Sequence, residues 1–318
     1  CTLLRLALFY VDAGILPRPT VVVPLLEPCD GVIGLHEAVR NHKLWRGLPF
    51  FSPDPPYYND ERSIDYFADE LRQMVDFLEK HTGQTLDMDR LREVIEVTNE
   101  QYELWMEYSE LRRSIPCPHG HILGFAGFGQ VQTAGAGDPG RTQWFKDTLA
   151  DAEKRIKENN PEVPNQKIRV LWSDVEPIWF NHLAPWMEEE WGVCVVLTMF
   201  SFTPYTLIDT STEKTIFQGL AKRNLVDPPM VRQARGFVDN FLNDVERIVK
   251  DYKIDCVIHP GHMGHKDGSA SISLYREKCR ELDVPFVSLG VDQFDKRYTT
   301  IDEMKAKISQ FFNAMGLG

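Results

Sequence analysis

The second half of the chain alternates between short apolar runs and longer amphipathic ones, and no other feature of the sequence restricts the fold so much. Ile168–Trp172, Val193–Thr198 and residues 254–258 and 284–289 read as strands rich in β-branched residues. Helical stretches lie between them. These are residues 178–190, a long mostly helical segment, residues 269–282 and a last helix over about 300–315. Within the long segment, Asp227-Pro228 starts a helix carrying Phe237, Phe241, Val245, Ile248 and Val249. Strands that alternate with helices pair in parallel through right-handed crossovers. The expected class is α/β.

The first half is less regular. Residues 2–14 read as a helix closed by Gly14, and residues 20–26 as a short buried strand. That strand runs into Glu27-Pro28-Cys29-Asp30-Gly31, where Asp30 can cap a helix to about Arg40. A basic cluster of Arg40, His42, Lys43 and Arg46 follows, then a possible strand at 48–52. Two long helices come next. Ile64, Phe67, Leu71, Met74, Val75 and Leu78 recur at helical spacing before Gly83. Leu91, Val94, Ile95, Tyr102, Trp105 and Met106 line the second helix, which Asp87 can cap. These stripes read as core, and the pair as a helical hairpin. Pro116-Cys117-Pro118-His119-Gly120-His121 opens an irregular Gly- and Ala-rich stretch. Without a second cysteine pair it reads as a loop over a cleft rather than a zinc site. Asp138-Pro139 then starts a helix to about Asn159. The expected division is an N-terminal α/β lobe (1–60), a helical hairpin with a cleft loop (61–160) and a doubly wound C-terminal lobe (161–318).

In open α/β sheets, ligands sit at the carboxyl ends of the strands. The richest strand end here is Cys256-Val-Ile-His259-Pro-Gly261-His262-Met263-Gly-His265-Lys266-Asp267-Gly268. Three histidines within seven positions suit acid/base chemistry or metal ligation. A solvated Gly-rich turn is the plainer reading. Two further strand ends carry candidates, Cys29-Asp30 and Gly290-Val-Asp292-Gln-Phe-Asp295-Lys-Arg297-Tyr298. In the latter, Asp292 and Arg297 either bind substrate or tie the loop down.

The 318 residues suit two domains or one large α/β unit. A net charge of -12 argues against nucleic acid as the main partner, and no run of about 18 apolar residues predicts a membrane span. The six cysteines, Cys1, Cys29, Cys117, Cys194, Cys256 and Cys279, show no small-domain disulfide framework. They suit thiols or metal thiolates in a reducing, cytoplasmic setting. Cys194, Cys256 and Cys279 fall inside predicted elements and read as small buried hydrophobes. A chain beginning at Cys1 reads as a fragment better than as a lipoprotein, because Thr2-Leu-Leu-Arg-Leu-Ala-Leu-Phe-Tyr resembles a folded helix.

Several pieces together resemble one family, the 2-hydroxyacyl-CoA dehydratases and benzoyl-CoA reductases. They are Pro28-Cys29-Asp30, Leu78-Glu79 with Thr82-Gly83, Leu91-Arg-Glu with Asn99, Arg169-Val-Leu-Trp172, the histidine loop, and Asp292-Gln-Phe-Asp295-Lys-Arg297. The resemblance covers nearly the whole chain. It implies two Rossmann- or flavodoxin-like parallel-sheet lobes with a helical hairpin insertion. It also implies a related second subunit, an ATP-dependent iron–sulfur activator and an acyl-CoA substrate. The implied chemistry removes water from an (R)-2-hydroxyacyl-CoA. One electron turns the thioester carbonyl into a ketyl radical, the 2-hydroxyl leaves, an acid/base group removes the 3-proton, and the electron is returned.

The implied cofactor is a 4Fe-4S cluster on three cysteines. Cys1 and Cys29 match the first two. The third position, in the histidine loop, is Met263 here. The missing ligand could come from His259, His262 or His265; the cluster could be altered; or this chain could be a non-catalytic partner. Cys256, in mid-strand, is a poor substitute. Otherwise His259, His262, His265 and Lys266 suit proton transfer and polarisation, while Arg40, Lys43 and Arg46 suit coenzyme A phosphates. An aryl-CoA reductase subunit and a zinc enzyme using the three histidines are the competing readings.

Overall fold

The computed structural model describes residues 2–24, 26, 30–121, 129, 135–174, 176–202, 205–229, 231–232 and 237–317. Its first elements are α1 (Thr2–Asp12), α2 (Asp30–Arg40), α3 (Glu61–Thr82), α4 (Met88–Leu111), α5 (Pro139–Glu158) and β1 (Ile168–Trp172). After them come α6 (Leu183–Trp191), β2 (Val193–Thr198), α7 (Glu213–Val226), α8 (Phe237–Asp251) and β3 (Cys256–His259). The chain closes with α9 (Lys266–Glu281), β4 (Phe286–Ser288) and α10 (Ile301–Ala314). Contacts divide it into two units, Cys1–Glu96 with Thr206–Gly236, and Val97–Tyr205 with Phe237–Gly318. The boundary at Glu96 falls inside α4.

In the first unit the two expected strand segments meet in one parallel bridge, Val22 with Phe50. The Val22 N–H donates to Pro49 O (3.0 Å) and the Phe51 N–H to Val22 O (3.1 Å). Asp60 starts α3 by accepting the Ser63 N–H at 2.8 Å, and Gly83, at φ 70°, ends it. The apolar stripe of α3 buries Phe67 and Ala68 against Phe217, Ala221 and Leu225 of α7. Ile95 of α4 packs with Ile208 and Ile216. Both helices of the expected hairpin therefore bury residues against α7. Asp227 closes α7, and its buried carboxylate accepts from the Thr206 N–H (2.6 Å) and Oγ1 (2.8 Å).

The second unit is built on one parallel sheet, and the fold is α/β. Among the described residues the strand order is β2-β1-β3-β4. Val170, Leu171 and Trp172 pair with Cys256, Val257 and Ile258. Every residue of β1, β2 and β3 is buried, as expected for parallel strands covered on both faces. The period of two sorts their side chains. Leu171, Cys194, Val196 and Val257 face Val245 and Ile248 of α8 with Tyr275 and Cys279 of α9. Val170, Trp172, Val195, Cys256 and Ile258 face Leu183 and Met187 of α6 with Met304, Ile308 and Phe312 of α10. The three cysteines expected in the core are there. Several predicted boundaries shifted: the strands expected over 254–258 and 284–289 are Cys256–His259 and Phe286–Ser288. The helix expected over 178–190 is split by a short 3-10 turn, Ile178–Phe180, and the helix expected from 269 starts at Lys266.

Candidate functional site

The strand order fixes where a crevice opens. The chain goes from β1 outward to β2 and then crosses to β3 on the other side, so the switch point lies between β1 and β3. The carboxyl ends of those strands are Trp172-Ser173-Asp174 and His259-Pro260-Gly261-His262. The β4 loop is bonded to the latter: the Gly290 N–H donates to Pro260 O (2.8 Å) and the Met263 N–H to Val291 O (3.1 Å).

Each of the three histidines meets a polar side chain from a neighbouring strand end. His259, the last residue of β3, has its Nδ1 2.9 Å from Ser173 Oγ. Its ring stacks on Phe286 and meets the edge of Tyr275. The other ring nitrogen is buried without a hydrogen-bond partner among the described residues. Burial lowers its pKa, against the pull of Asp174, so the ring is neutral at pH 7. His265 Nδ1 lies 3.0 Å from Asp174 Oδ1. His262 is buried, and its Nδ1 accepts the Gln293 N–H at 3.1 Å, which puts the ring proton on Nε2. Burial lowers its pKa, while the Asp292 carboxylate, 4.0 Å away, raises it less.

Asp292 is buried, and its Oδ1 accepts the N–H groups of Phe294 (2.9 Å) and Asp295 (2.8 Å). Arg297 is 84% exposed in its side chain and pairs with Asp295, Nη2 to Oδ2 at 2.5 Å. Two glycines let the backbone close in. Gly261, at φ +65°, has Ser288 Oγ 2.9 Å from where a Cβ would sit. A Cβ on Gly268 would meet His265 Nδ1 at 3.2 Å and Asp174 Oδ2 at 3.3 Å. Lys266 begins α9, and its side chain lies outside the described residues.

The remaining expected site residues belong to the other unit. Arg40 lies over the Phe50 ring and 3.7 Å from Glu37. Lys43 lies 3.8 Å from Asp12, and the Arg46 carbonyl accepts from Arg18 at 3.3 Å. Cys1 and Cys29 lie outside the described residues. Sequence reasoning missed Ser173 and Asp174. They directly follow a recognised strand, so the strand-end rule used for the histidine loop would have found them.

A family model described as 2-hydroxyglutaryl-CoA dehydratase, D-component, matches residues 1–315. The chain belongs to that family. No curated protein matches it. Membership carries the expectation of an iron–sulfur cluster, and the described residues do not fit one. Met263, in the histidine loop, is half exposed to solvent and offers a thioether rather than a thiolate. Cys256 is wholly buried in the sheet, and burial pushes its thiol up, away from the thiolate a cluster needs. Among the described residues no three His, Cys, Asp or Glu side chains converge as metal ligands, the three histidines included. Each of those histidines is instead tied to a neighbouring strand end. No helix among the described residues is long and apolar enough to cross a membrane.

Proposed function

We propose that this chain is a subunit of an (R)-2-hydroxyacyl-CoA dehydratase and that the β1/β3 crevice handles protons for it. The observation that carries this reading is the pairing of Asp174 with His265 at a switch point, in a chain matched over residues 1–315 by the dehydratase family. In the proposed reaction an ATP-dependent activator supplies one electron, a ketyl radical forms on the thioester, the 2-hydroxyl leaves, the 3-proton is removed and the electron is returned. This chain's residues bind and position. Asp174 orients the His265 ring, and His265 exchanges a proton with the acyl group. His262 and Asp292 hold the neighbouring loop. Arg40, Lys43 and Arg46 are proposed to meet coenzyme A phosphates, and Arg297 the rim of the site. The four free buried cysteines, Cys117, Cys194, Cys256 and Cys279, agree with a reducing cytoplasm.

A second reading rests on Met263. With a thioether at the third ligand position, the chain supports a sister subunit that carries the 4Fe-4S cluster. Iron and acid-labile sulfide on anaerobically co-purified protein, followed by separation of the subunits, distinguishes the two. About four irons on this chain, in line with a cubane cluster, would support a cluster on Cys1, Cys29 and a further ligand. Iron confined to the sister supports the second reading. Turnover of a 2-hydroxyacyl-CoA, with the activator and ATP added, tests both against an aryl-CoA reductase, which would instead consume an aromatic thioester.

A further inference from the structure

Three strand-end loops meet at the mouth of the crevice, and they bring apolar side chains and carboxylates to one rim. The Met263 N–H donates to Val291 O (3.1 Å) and the Ile178 N–H to Gln293 O (3.0 Å). Two residues of chain span at most about 7 Å. The loops after β1 and β3 are therefore held side by side on the loop after β4. Trp179 Nε1–H, donating to Asp292 O (2.9 Å), fixes the turn that carries Ile178. Ile178 is 52% exposed and Met263 50%. Single exposed apolar side chains are ordinary, but two on adjoining loops at a switch point offer apolar area to whatever enters it. Met263 is unbranched and adapts its shape, whereas Ile178 is stiff.

The charges at the same rim have one dominant sign. Loops 173–178, 259–268 and 290–298 carry five carboxylates, those of Asp174, Glu176, Asp267, Asp292 and Asp295. Against them stand three cations, Lys266, Lys296 and Arg297. Arg297 is already bound to Asp295, Nε to Oδ1 at 2.8 Å and Nη2 to Oδ2 at 2.5 Å. Burial lowers the pKa of His259 and of His262, so neither adds charge at pH 7. Five carboxylates against three cations leave two negative charges, and a protonated His265 would leave the balance negative still. Asp174 and Asp292 are buried, where a like charge is felt more strongly than in water.

The family takes its description from a thioester whose acyl chain ends in a second carboxylate. We propose that this crevice takes the opposite kind, a 2-hydroxyacyl chain that is apolar and uncharged, with Ile178 and Met263 as the side chains that meet it, and that it turns away a chain ending in a carboxylate. The selection rests on the dehydratase function proposed for this crevice. Coenzyme A is common to every candidate thioester, so the discrimination acts on the acyl end alone. An apolar chain shields the Ile178 and Met263 surfaces from water, whereas a terminal carboxylate gives up hydration to enter among like charges. The reacting groups, a thioester carbonyl and a hydroxyl, are neutral and carry no such penalty.

The test compares two thioesters of nearly one shape on the full chain, purified anaerobically with any partner. One is glutaryl-CoA, and the other carries an isopropyl group in place of its terminal carboxylate. Both lack the 2-hydroxyl, so titration calorimetry reads binding without turnover, activator or ATP. The isopropyl thioester is expected to bind at least about tenfold more tightly. Ile178→Arg adds a cation at the rim and removes apolar surface. It is expected to shrink or invert that ratio and to leave the thermal midpoint unchanged, since the side chain is half exposed. Glutaryl-CoA bound as tightly as its isostere by the wild type overturns the proposal. So does a preference that Ile178→Arg and Met263→Arg both leave intact, because it then arises elsewhere. Loss of a co-purifying partner from either variant is also contrary, since the rim would then be an interface between chains. If neither thioester binds the folded wild type, the acyl-CoA function itself fails, and the selection falls with it.

Discussion

At the scale of single residues the crevice is organised by partners that the histidines do not choose for themselves. Asp174 leaves the end of β1 and meets His265, 91 positions later, across 3.0 Å. A carboxylate on one ring nitrogen fixes the tautomer and supports a positive charge on the ring during proton transfer. Asp174→Asn keeps the shape and removes that support. Turnover of the co-purified complex is expected to fall by roughly 10²-fold, with the acyl-CoA KM within about threefold of wild type. Steady-state rates with activator and ATP check this. An unchanged rate would move the proton chemistry away from this pair. His259 is less suited to that work. It is buried between Phe286 and Tyr275 and held by Ser173 Oγ, so it orients the strand end.

At the scale of elements, loops and caps decide how closely β3, β4 and α9 approach. Gly261 has both a left-handed φ of +65° and Ser288 Oγ where a side chain would begin. Gly261→Ala is therefore strained twice over. A cost of about 1–3 kcal/mol is expected, seen as a lowered thermal midpoint by circular dichroism. The start of α10 carries a capping box, in which Thr300 Oγ1 accepts the Glu303 N–H (3.2 Å) while Glu303 Oε2 accepts from Thr300 N (2.8 Å). Thr300→Ala is expected to cost about 1 kcal/mol, and Thr300→Ser much less. Urea midpoints of the two variants separate the cap from the loss of a methyl group. The same helix buries Phe312 completely, so Phe312→Ala is expected to cost about 3–5 kcal/mol through the cavity it leaves.

At the scale of the whole molecule, each unit collects segments distant in sequence. The first takes Thr206–Gly236 from the middle of the chain, and the second takes Val97–Tyr205 together with Phe237–Gly318. The apolar stripe of α4 serves two cores. Ile95 packs with Ile208 and Ile216, whereas Tyr102 and Trp105 pack with Phe145, Ala152 and Tyr205. A fragment starting at residue 161 would lack Arg112, whose guanidinium holds the Val195 and Val196 carbonyls of β2, and Cys117, which Gln166 clamps. Such a fragment is expected to lose the cooperative urea transition and near-ultraviolet dichroism of the full chain. A sharp transition would show that the sheet and the helices that follow residue 161 suffice.

The strands Ile168–Trp172 and Val193–Thr198, the helix start at Asp138-Pro139 and the Gly83 stop were all legible in the chain, because periodicity and capping are local properties of neighbouring residues. So was the histidine loop as the richest strand end. The sequence by itself therefore determined an α/β chain of this family and the loop from which to begin. It could not determine the partners. Ser173 and His259 are 86 positions apart, and Arg112 lies 84 from the Val196 carbonyl it holds. Which strand ends meet is set by the order β2-β1-β3-β4, and that order comes from the summed burial of two sheet faces. Only the tertiary structure could turn three histidines in a loop into three oriented pairs.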